Sequence, residues 1–176
     1  MHASSARAAT IEPLLSVRRG KSAVEFYKRA FGANELSLVE DDKGEVVAHL
    51  SVAGAGFWLA DESPSHSNFS PESIGGSTVR LAVTVEDPDA VFGRAVAAGA
   101  TVVYPMKDQS YGWRVGRLAD PFGHHWEIGK PLREKRSERQ KVKAFPPGPP
   151  SDRTKNKATP MTRRQTSALT AASTCW

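Results

Sequence analysis

The sequence predicts an α+β fold of two βαβββ modules, and three observations carry that prediction. A strand–helix–strand opening occurs twice, once from Ile11 and once from Val79, as an internal repeat. Each helical stretch stops at a glycine, Gly32 or Gly99, the residue that most readily takes the left-handed conformation at a helix end. Three short strand-like segments then follow each helix.

In copy one, Ile11, Leu15 and Val17 share one face of the opening strand, and Glu12, Leu14 and Ser16 share the other. A helix follows over residues 21–31, where Ala23, Val24, Tyr27 and Phe31 fall near helical spacing. Strands over 35–40, 45–52 and 56–61 complete the copy, joined by the turns Asp41-Asp42-Lys43-Gly44 and Ala53-Gly54-Ala55. Copy two opens on an alternating strand over 79–85. Asp87-Pro88-Asp89 starts its helix with a cap, a first-position proline and an acid in the first turn. Val91, Ala95 and Ala98 form the apolar stripe, and strands follow over 101–105, 113–119 and 125–129.

These elements place a domain over residues 10–131, with module one at 10–62, a Ser/Pro/Gly-rich linker at 63–77 and module two at 78–131. The linker reads as a plain connector rather than a lid. Residues 1–9 read as a disordered N-terminus and 132–176 as a basic, Pro/Ser/Thr-rich disordered tail. Beyond Leu132 there are eleven Lys/Arg and three Asp/Glu, a net +8, while the whole chain is +5 and residues 1–132 therefore carry −3. The high isoelectric point thus belongs to the tail, so nucleic-acid association is expected only through that tail.

The single cysteine, Cys175, excludes a disulfide framework, and with no apolar signal core the chain is expected to be cytoplasmic. No apolar run approaches the roughly 20 residues that cross a bilayer, so no membrane partner is expected. A Gly-rich phosphate loop, a nucleophile elbow and an HExxH motif are all missing.

The stretch Asp120-Pro121-Phe122-Gly123-His124-His125-Trp126-Glu127-Ile128 carries the chemistry. A turn leads into a strand where His125 and Glu127 share one face, backed by Trp126 and Ile128. With Ser22-Ala23-Val24-Glu25-Phe26-Tyr27 before Phe31-Gly32, it resembles the paired signatures of the vicinal-oxygen-chelate superfamily, which includes glyoxalases, bleomycin- and fosfomycin-resistance proteins and extradiol dioxygenases. Pro13 and Tyr111-Gly112-Trp113-Arg114 look closest to its PhnB-like branch.

That resemblance implies two sheets curled around a cleft, with one metal ligand on the first and one on the fourth strand of each module. The matching positions here are Glu12, Trp58, Arg80 and Glu127. Tryptophan offers no acceptor and arginine is permanently cationic, so an ion pair is favoured over a divalent cation. The expectation is therefore a protein that binds a small molecule in the inter-module cleft, without cofactor or metal.

Glu12, Arg80 and Glu127 would orient the ligand, with Glu127 and Glu12 as catalytic candidates and Trp58, Trp113, Tyr111, Arg114 and Leu14 around it. An alternative is a metal-dependent lyase, isomerase or dioxygenase with Glu127, Glu12 and His125 as ligands. His124 and His49 read as structural or partly exposed strand positions, and His66 as solvated. A homodimer, sometimes formed by exchanged modules, is also implied by the resemblance.

Overall fold

The computed structural model describes residues 9–132; of the segments expected to be disordered, 1–9 and 132–176, all but Ala9 and Leu132 lie outside the described residues. The first strand, β1 (Leu14–Val17), begins later than alternation suggests, and Ile11 is exposed. Pro13 has no N–H to pair, although its carbonyl still accepts the N–H of Trp58 at 2.8 Å. The helix α1 (Gly20–Phe31) starts without a side-chain cap of its own. Asp61 substitutes, its two carboxylate oxygens accepting the N–H groups of Gly20 and Val46 at 2.8 Å each. Gly32 closes the helix in the left-handed region at φ 65°.

The strands β2 (Asn34–Glu40), β3 (Val46–Val52) and β4 (Ala55–Asp61) complete a mixed sheet of order β1-β4-β3-β2, with β1 parallel to β4. Module two repeats the plan. It comprises β5 (Arg80–Thr84), α3 (Pro88–Ala97), β6 (Thr101–Gln109), β7 (Trp113–Ala119) and β8 (His125–Pro131), in sheet order β5-β8-β7-β6. Asp87 caps α3 by accepting the N–H of Ala90 at 3.1 Å. The strand β6 runs four residues past its expected end, through Pro105, because its register shifts on either side of Tyr104 at the sheet edge. Two four-stranded mixed sheets and few helices make this the α+β fold the sequence predicts.

The linker is more ordered than a plain connector. It contains a 3-10 turn at Pro64–His66 and the short helix α2 (Pro71–Ile74). Glu62 accepts the Ser70 N–H at 2.9 Å and the Ser73 hydroxyl at 2.6 Å, Ser16 Oγ donates to Asn68, and Arg19 pairs with Glu72 at 2.9 Å. These bonds hold Glu62 well below the usual carboxylate range, at about 2, chiefly through Ser73 and then Ser70.

Both modules close on one core. Phe26, Tyr27 and Phe31 of α1 lie among Phe57 of β4, Phe122 and Trp126 of β8, with Phe57 and Trp126 edge to face at 5.6 Å. Asp120 fixes the junction. Its Oδ1 accepts the N–H groups of Phe122 and His124, and its Oδ2 accepts Tyr27 Oη at 2.7 Å and Trp126 Nε1 at 2.9 Å. Because Phe57 and Trp126 both project from helix-covered faces, the sheets meet back to back there. Their other faces look outward, leaving Leu14 56% exposed and Arg80 and Ala82 exposed.

Candidate functional site

Strand register assembles the outward face of module two. Arg80 lies opposite His125, Ala82 opposite Glu127, Glu127 opposite Arg117 and Arg117 opposite Tyr104. Side chains alternate along a strand, so Arg80, Glu127 and Arg117 emerge together. The Glu127 side chain is only 7% exposed, and three nitrogens converge on its Oε1. Arg117 Nη2 donates at 2.7 Å and Arg117 Nε at 3.1 Å, while Arg80 Nη1 approaches to 3.1 Å.

His125 sits beside them on the same face. Its pKa is held below the usual imidazole range, first by burial and then by the Arg117 charge. Tyr111 is pushed above its ordinary value by burial, then by Glu127 and Tyr104, which places its hydroxyl within the field of the cluster. Two guanidiniums against one carboxylate leave this cluster with one excess positive charge, and Lys107, opposite Val115 on the same face, adds another cation.

The matching face of module one is built differently. Leu14 lies opposite Trp58, Trp58 opposite His49 and His49 opposite Ser37. The His49 and Trp58 rings stack at 4.2 Å with an interplanar angle of 2°. Glu12 Oε2 stands 2.9 Å from His49 Nε2, but that nitrogen has no hydrogen bond of acceptable geometry. Distance alone therefore sets this contact, as an approach of opposite charges when the imidazole is protonated. The Glu12 carboxylate lies over Gly56, where a Cβ would come within 2.5 Å of Oε1.

Several residues sit elsewhere than anticipated. Glu12 pairs with His49, and no ion pair joins it to Arg80 or Glu127 among the described residues. Arg114 alternates with Arg117 and so occupies the helix-covered face, where Asp89 at 2.6 Å and Asp108 at 2.8 Å engage its guanidinium. The aromatic face of Trp58 is taken on one side by His49 rather than left for a ligand. His124, expected to be structural, is buried and its Nε2 meets the Ser16 carbonyl at 3.0 Å. Trp113 lies at the far end of the outward face, opposite Gln109 and Pro131, and Tyr111 is 44% exposed.

Sequence reasoning missed Arg117 and the pairing of His49, which it read only as a partly exposed strand position. Both could have been found by counting back from the hairpin turns, because Ala119 opposite His125 fixes Arg117 opposite Glu127, and Val52 opposite Ala55 fixes His49 opposite Trp58.

The donor set does not fit a divalent cation. Glu127 Oε1 is engaged by two guanidiniums, and the equivalent module-one position is Trp58, which has no lone pair to give. His125 feels Arg117 and Arg80, and the carboxylate that also acts on it, Asp120, is already taken by four donors in the core. No group of three or more His, Cys, Asp or Glu side chains is placed to hold a metal among the described residues.

The profile of the Glyoxalase/Bleomycin resistance protein/Dioxygenase superfamily matches residues 9–128. The uncharacterized protein Rv0887c of Mycobacterium tuberculosis strain H37Rv is 44% identical over 135 residues, covering 72% of this chain and 79% of that protein. The crystal structure of the Arabidopsis thaliana At5g48480 gene product is 30% identical, covers 71% of this chain and all of its own, and superposes with a TM-score of 0.56. The fosfomycin resistance protein FosX of Listeria monocytogenes shares the fold at 16% identity, with a TM-score of 0.56 over 72% of this chain and 96% of its own.

Proposed function

The chain belongs to the Glyoxalase/Bleomycin resistance protein/Dioxygenase superfamily, and from that premise we propose that it binds a small molecule over Glu127, Arg80 and Arg117 without a metal. One observation carries this reading: a buried carboxylate held by two guanidiniums on a sheet face where, among the described residues, Arg80 and Ala82 stay exposed. A purely structural ion pair gains nothing from an open face. Fixed polar groups on such a face match what an oriented ligand needs, with Trp113 at its far end. In this reading Glu127, with its two guanidiniums, orients a bound molecule, and Glu12 beside His49 is the acid of module one.

A walled cleft needs a second copy, since the outward faces of one chain look apart. We infer a homodimer in which module one of one copy faces module two of its partner. Leu14, Val39 and Val47, 56%, 68% and 45% exposed on the module-one face, supply the apolar part of that contact. Leu14 and Trp58 would then wall the pocket opposite Arg80. We also propose a cytoplasmic location, and membership of the PhnB-like branch on the strength of Pro13 and Tyr111-Gly112-Trp113-Arg114.

A thermal-shift screen of small molecules on the full chain, repeated on Glu127→Gln, tests the site. Ligands that stabilise the native protein and lose their effect in the variant support it. Ligands that shift both proteins equally would move the site elsewhere. Calorimetric titration with nickel or zinc should show no one-to-one uptake that depends on Glu127; saturable binding abolished by Glu127→Ala would restore the metal-dependent alternative.

A further inference from the structure

We propose that the Arg80–Arg117 pair is a receptor for an oxyanion, so that the ligand of this face carries a carboxylate or phosphate-type group. The inference rests on the small-molecule reading above and adds the ligand's charge. All three nitrogen contacts to Glu127 fall on Oε1, and no other described residue engages either guanidinium. Arg80 is 41% exposed and makes no hydrogen bond to another described side chain or backbone group, its single ion contact being the 3.1 Å approach to Glu127. The Arg80–Arg117–Glu127 cluster keeps one excess positive charge, to which Lys107 on the same face adds, and Arg117, 17% exposed, is braced by two bonds to Glu127, so the second guanidinium is already oriented. Two guanidiniums held at fixed separation present planar N–H pairs that match the oxygens of a carboxylate or phosphate. Tyr104 lies opposite Arg117 in the strand pairing, and Tyr111 is pushed up chiefly by burial and then by Glu127.

The test is calorimetry of the full chain at low ionic strength with benzoate, its neutral isostere benzamide, and inorganic phosphate, on native protein and on Arg80→Met. Arg80→Met keeps side-chain bulk on an exposed position and leaves the basic tail unchanged, so non-specific anion binding by the tail is common to both proteins. Benzoate or phosphate should bind saturably, benzamide at least about tenfold more weakly, and Arg80→Met should weaken the anion by about tenfold, the scale of one charge-assisted hydrogen bond. Equal affinity for benzoate and benzamide overturns the anion inference while leaving the small-molecule site standing. Anion binding unchanged in Arg80→Met, or a variant that dissociates in sedimentation without ever having bound anion as native protein, overturns it as well and makes Arg80 an interface counter-charge. A thermal melt confirms that the variant is folded.

Discussion

Module one and module two share a backbone plan and place different chemistry on equivalent strand positions. Where module two sets Glu127 under Arg80 and Arg117, module one sets Trp58 against His49 with Glu12 beside them. The first face is an ion cluster with surplus positive charge, and the second is an aromatic stack with an acid at its rim. Internal duplication therefore fixes where side chains emerge but not what they do. The shared features lie on the opposite, helix-covered faces, where a single apolar core imposes the same demand on both halves.

The most damaging change should strike what the modules share. Asp120→Ala strands four buried donors, from Phe122, His124, Tyr27 and Trp126. We expect a loss of about 3–5 kcal/mol, read by denaturant unfolding. A loss under about 1 kcal/mol would show that the junction is not fastened by this carboxylate.

The contrast between the two faces is sharpened by comparing Arg117→Met with His49→Ala. The former leaves a nearly buried Glu127 with only the half-exposed Arg80, at a cost of roughly 2–3 kcal/mol. The latter removes a ring stack and a poorly aligned ion contact, at a cost of about 1 kcal/mol. Equal costs would mean that the two faces are energetically alike despite their chemistry.

Acid stability should show the smallest effect. Glu62 falls to about 2 in the folded protein, below its ordinary value. Its contribution is therefore present above the ordinary carboxylate range and is lost as pH falls through that range toward 2. Glu62→Gln should flatten this part of the stability–pH curve without altering the neutral-pH face chemistry. An unchanged curve would separate the linker from the energetics of the fold.

Much of this architecture was legible in the sequence because local rules set it. Alternation in 79–85, the Asp87-Pro88 helix start and the Gly32 stop all mark elements whose chemistry acts within a few residues. Ile11 misled because alternation was carried across Pro13, where the ladder loses a donor. Glu127 and Arg80 could be named from motif and repeat, whereas Arg117 and His49 needed cross-strand register. Arg114 was assigned to the pocket from its proximity to Tyr111 and Trp113, but one residue of offset reverses the face. That the helix-covered faces meet back to back follows from Phe57–Trp126 packing, a long-range fact no single segment contains.

The Asp120 junction also bears on how the chain would behave if cut. A break between Ser77 and Val79 would leave Tyr27 on one fragment and its carboxylate partner on the other, with Phe57 parted from Trp126. Each fragment would present half an interior to water and be insoluble or unfolded alone. Mixed together, the halves have matching surfaces and should reconstitute, which makes the 62–77 strap a natural position for a split-protein reporter whose signal depends on module association.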